Sequence, residues 1–114
     1  MGTFNLKDNK WAFIEILGYT DDVNNAIQAL KNAKLLHGNL SSNEEKGNKR
    51  FVQFYICHKN VSVLTQEEEE QYNDIANLYQ VNIEYTFMGS NCLHFPNSEG
   101  NDFSIKYWEW WMVD

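Results

Sequence analysis

Proline and arginine each occur once, and cysteine twice, in a chain of 114 residues. Two cysteines make no disulfide framework, so the fold has to rest on a hydrophobic core. Cys57 and Cys92 are therefore expected as reduced, buried, apolar groups. No apolar run approaches the roughly 18 residues that a membrane helix needs. The first residues also lack the basic, apolar, small-residue order of a secretory signal. A soluble protein of the cytoplasm is the expectation. The chain has no phosphate-cradling glycine loop, no His-Glu-x-x-His and no Gly-x-Ser-x-Gly. An enzyme is accordingly not expected, and no catalytic residue is assigned.

Basic residues are scarce where acids are dense. Residues 1–57 carry a net charge of +1 and residues 58–114 one of −8, which together make the −7 of the chain. Phosphate binding needs a concentrated basic surface, so direct contact with nucleic acid is not expected. A basic protein partner suits this asymmetry better. Asparagine, by contrast, is abundant at fifteen residues, a bias that fits an AT-rich coding sequence of a phage, a mobile element or a low-GC bacterium.

At this length one hydrophobic core and a single domain over residues 1–114 are expected. Trp11-Ala-Phe-Ile-Glu-Ile-Leu17, ending at Gly18, reads as a strand. Helical spacing of Val23, Ala26, Ile27, Leu30 and Ala33 predicts a helix over 20–34, with Thr20 as N-cap. A short strand is expected within 35–40, a polar loop over 41–49 and a firm strand over 50–58. Thr65-Gln-Glu-Glu68 is a capping box that opens a second helix, whose apolar face is Tyr72, Ile75, Ala76 and Tyr79. Strict alternation in Val81-Asn-Ile-Glu-Tyr-Thr-Phe87 marks a half-buried strand. A loop over 90–102, with Pro96 and Gly100, leads to a last aromatic strand over 103–114.

The expected class is α+β: a split βαβ pattern with two helices on one face of an antiparallel-rich sheet, plus an added C-terminal strand. That last stretch holds three of the four tryptophans. Tyr107 and Trp111 suit the core, and Trp108 and Trp110 a contact surface, since tryptophan is enriched where interfaces are strongest. The run Glu67, Glu68, Glu69, Glu70, with Asp74 a turn later, exceeds what helix capping requires. These five acids, Trp108, Glu109 and Trp110 are the candidate partner-binding residues.

Cys57-His58 and Cys92-x-His94 are the one combination with metal-ligand chemistry. Neighbours on a strand point to opposite faces, so Cys57 and His58 cannot both ligate without a bulge. Neither a metal nor any other cofactor is expected from this spacing.

The order of strand 11–17, helix 20–34, strand 50–58, capped helix 65–79, strand 81–87 and a final aromatic strand resembles that of small ferredoxin-like proteins encoded by phages and plasmids. The resemblance spans most of the chain as an order of elements and rests on no residue motif. Anti-CRISPR proteins are the best-known analogy, and the resemblance implies an inhibitor of host defence acting in the host cytoplasm. A non-enzymatic protein that occludes a basic surface of another protein, such as a defence nuclease, is therefore the leading expectation. The alternatives are an immunity protein that neutralises a cognate toxin, a small-ligand domain with a pocket lined by Tyr55, Tyr85 or Tyr107, and a homodimer with its sheets face to face.

Overall fold

A computed structural model describes residues 10–36, 38–58, 64–87 and 91–101, with only the backbone at Lys10, Cys57, His58 and Asn91. The elements run β1 (Lys10–Tyr19), α1 (Thr20–Asn32), β2 (Asn39–Lys46), β3 (Lys49–His58), α2 (Gln66–Tyr79), β4 (Asn82–Phe87) and β5 (Asn91–Phe95). The class is α+β, as the residue patterns indicate. The five strands form one antiparallel sheet in the order β2-β3-β1-β4-β5. Because every neighbouring pair is antiparallel, β1 runs parallel to β2 with β3 between them, and β3 runs parallel to β4 with β1 between them.

Alternation along the strands builds the core. Ala12, Ile14 and Ile16 of β1, Val52, Phe54 and Ile56 of β3, and Ile83 and Tyr85 of β4 are buried. They meet Val23, Ala26 and Leu30 of α1 and Tyr72 and Ala76 of α2 in a single cluster. Each large aliphatic side chain removed from water contributes about 1.5–3 kcal/mol. Tyr72, though polar, is almost wholly buried because its hydroxyl donates to the Leu35 carbonyl at 2.8 Å and its ring stacks on Phe95. Burial pushes its phenol far above the ordinary range and keeps it neutral.

Both helices end in ways that the residues explain. Thr65 accepts from Glu68 N at 3.1 Å and the Glu68 carboxylate accepts from Thr65 N at 2.8 Å, which completes the expected capping box. At α1 the expected N-cap is corrected: Thr20 is the first helical residue, Tyr19 is the cap, and no side chain caps it. The carbonyl of Asn48, in the β2–β3 turn, instead accepts from Thr20 N at 2.9 Å. The C-terminus of α1 closes with Lys34 at φ 60 and with Leu35 N donating to the Leu30 carbonyl.

Two stretches expected as loops are strands. β2 occupies most of the segment 41–49 and replaces the short strand expected within 35–40. Its residues, Asn-Leu-Ser-Ser-Asn-Glu-Glu-Lys, are nearly all exposed, so no hydrophobic period marks them. The hairpin to β3 places them: Gly47 at φ 64 is the first central residue of a two-residue turn, with Lys46 and Lys49 paired across it. A polar outer strand also blunts a sheet edge against unwanted pairing. β5 lies in the segment expected as the loop 90–102 and supplies the fifth described strand. The aromatic strand expected over 103–114, with Tyr107, Trp108, Glu109, Trp110 and Trp111, lies outside the described residues.

Candidate functional site

Two outward surfaces carry the groups of interest. The first is the solvent side of α2. Glu67, Glu70, Gln71, Asp74 and Leu78 are all exposed, and their spacing of three and four residues puts them on one stripe opposite Tyr72 and Ala76. Leu78 is 71% exposed, an apolar group at the end of an acidic row. Glu68 and Glu69 do not belong to this stripe: both are half-buried, and Glu68 is committed to the cap. Of the partner-binding residues expected from sequence, Glu67, Glu70 and Asp74 therefore come together, while Trp108, Glu109 and Trp110 lie outside the described residues. Leu78 was not signalled, because a leucine within a helix ordinarily reads as core.

The second surface is the sheet face turned away from the helices. Cross-strand register sets Tyr55, Phe13, Thr86 and Cys92 in one row and Gln53, Glu15, Glu84 and His94 in the next. The first row is aromatic at its β3 end. The Phe13 and Tyr55 ring centroids lie 5.0 Å apart, and Trp11 meets Phe13 edge-on at 5.3 Å. The second row is polar. Ser41 donates to Gln53 Oε1 at 2.8 Å, and Gln53 Nε2 donates to Glu15 Oε2 at 2.8 Å. Burial raises the Glu15 pKa; the Gln53 bond partly offsets this and the facing Glu84 carboxylate adds to it.

At the β4–β5 edge, Glu84, Cys92 and His94 converge. Each offers one donor atom, and these atoms lie within 4.8 Å of one another. Nδ1 of His94 is 3.5 Å from Glu84 Oε2, the Cys92 thiol donates to Glu84 Oε1 at 3.9 Å, and the Thr86 hydroxyl donates to Cys92 Sγ at 3.4 Å. A shallow cavity of about 30 Å³ takes in Glu84 and His94 beside Asn82 and Pro96. Cys92 is exposed, contrary to the expectation of a buried thiol. The loop reading of 90–102 hid the reason: on a strand, residues two apart share a face, so Cys92-x-His94 points both donors outward.

Tyr55 and Tyr85, two of the tyrosines expected to line a small-ligand pocket, fall on opposite faces of the sheet. Tyr55 stands on the outer face against Phe13, whereas Tyr85 is buried on the helix side near Tyr72. Tyr107 lies outside the described residues. No helix among the described residues is long and apolar enough to cross a membrane. Comparison of the chain with protein-family models, curated proteins and solved structures finds no match.

Proposed function

We propose that the protein is a non-catalytic binding protein that covers a basic surface of another protein with the outer stripe of α2. The intended target is the nucleic-acid groove of a host defence nuclease, and the protein is a phage-type inhibitor of the anti-CRISPR kind acting in the host cytoplasm. The observation that carries this reading is the exposed row Glu67, Glu70 and Asp74 ending in the exposed Leu78. Acids steer encounter with a basic surface, and an apolar group beside them supplies short-range contact. Trp108, Glu109 and Trp110 are proposed to extend the contact.

The finer fold assignment belongs to the same reading. We take the sheet as a ferredoxin-like split βαβ arrangement with β5 added at the β4 edge. Its support is the order β2-β3-β1-β4, in which each helix connects two parallel strands that flank a third.

The test is binding of the purified protein to a panel of purified defence nucleases and other basic nucleic-acid-binding proteins, at low and high salt. At least one nuclease is expected to bind and lose its nucleic acid. Affinity should fall as salt rises, and E67Q/E70Q/D74N should weaken it by about tenfold or more at low salt. Binding that ignores both salt and the triple variant would refute the assignment of the stripe, and binding to no member would refute the function.

A further inference from the structure

We propose that Glu84, Cys92 and His94 form a binding site for zinc or a similar borderline-soft divalent cation on the open face of the sheet. This inference is independent of the α2 reading. The donor set is one carboxylate, one thiol and one imidazole; zinc and cobalt(II) take all three, whereas magnesium and calcium do not favour the thiol and the imidazole.

The strands deliver the three donors without a bulge. Cys92 and His94 are two apart on β5 and share a face, and Glu84 on β4 is the cross-strand partner of His94. Their donor atoms lie within 4.8 Å of one another. A tetrahedral zinc site needs donor separations of about 3.3–3.8 Å, given metal bonds of about 2.0–2.3 Å. Side-chain rotation at an exposed cysteine and a His94 side chain that is 64% exposed can supply that contraction. Three protein ligands leave a fourth position for water.

Two further observations point to a cation here. Glu15 and Glu84 face each other in the β1–β4 register, and like charges directly opposite one another destabilise a strand pair. Glu15 has its partner in Gln53; a dication on Glu84 would offset the remaining repulsion. The Thr86 hydroxyl also donates to Cys92 Sγ at 3.4 Å, an outer-shell bond of the kind that holds a ligating side chain in place. On coordination the Cys92 thiol proton, now directed at Glu84, passes to solvent and the metal takes its place between sulfur and carboxylate.

The experiment uses the full chain, reduced and stripped with chelator, titrated with cobalt(II) and then with zinc against a chromophoric chelator. One cobalt per chain is expected, with tetrahedral ligand-field bands and the charge-transfer intensity of a single thiolate, displaced by zinc. C92S and H94A should each weaken zinc binding by roughly 100-fold or more, since even outer-shell changes at metal sites cost about 10–100-fold. E84Q should weaken it less, and C57S should leave it unchanged. Circular dichroism establishes that each variant is folded. Absence of stoichiometric binding by the unaltered chain, a two-thiolate spectrum, or loss of binding in C57S would each overturn the site.

Discussion

The inward and outward sides of the same elements differ in kind. On β1, the residues turned to the helices are Ala12, Ile14 and Ile16, all wholly buried, while Trp11, Phe13 and Glu15 between them mix rings with a carboxylate. On α2, Tyr72 and Ala76 enter the core, while Glu67, Glu70 and Asp74 face water. The inner side is governed by volume and desolvation, so it admits little but apolar groups and the two buried tyrosines Tyr72 and Tyr85. The outer side carries arrangements that do not help folding: Glu15 opposite Glu84, Glu70 one turn before Asp74, and an exposed Leu78. Groups that a fold tolerates without needing are where an account of function should begin.

The largest effect that would break this contrast lies on the inner side. Ile14 sits at the centre of the sheet with no exposure, paired with Phe54 and Tyr85. I14A should lower stability by about 2–5 kcal/mol in urea unfolding, through lost transfer free energy and the cavity left behind. A loss below about 1 kcal/mol would mean that the inner face is not the packed core described above.

A smaller and opposite effect is expected next to it, at Glu15. Its pKa is raised in the folded chain, so across the window between the ordinary carboxyl value and the folded one the native state holds more protons than the unfolded state. Stability contributed by this group is therefore lost as pH rises through that window. E15Q keeps an acceptor for Gln53 and removes the titration. Relative to the unaltered protein it should gain about 0.2–1 kcal/mol as pH climbs from about 4 to 7, measured by unfolding at several pH values. A constant difference across that range would contradict a Glu15 carboxyl whose pKa is raised by burial and by the facing Glu84.

The sequence made the inner side legible and the outer side only in part. The period of β1, β3 and β4, the helical faces and the Thr65–Glu68 box are all local patterns, and each led to the element found. β2 carries no hydrophobic period; its pairing with β3 comes from a turn at Gly47, which the surrounding polar residues disguised. β5 is five residues long, and the adjacent Pro96 and Gly100 outweighed its alternation of Leu93 and Phe95 inward with Cys92 and His94 outward. That one misreading also concealed the Glu84–Cys92–His94 cluster, because donors from β4 and β5 meet only through the register between them. The acidic run was visible at once, but its division into Glu67, Glu70 and Asp74 outside and Glu68 in the cap needed the rotation of α2.

The central claim is that the outer acids of α2 are surplus to the fold and kept for a partner. Thermal unfolding of E70Q/D74N at low salt tests it most directly, because the two carboxylates are one helical turn apart and beyond the first turn, where the helix dipole would reward them. Neutralising them should raise stability by about 0.2–0.5 kcal/mol, or roughly 1–3 °C in the midpoint, and the gain should vanish at high salt. A midpoint lowered at low salt would show that these acids hold the fold together, and would contradict the claim.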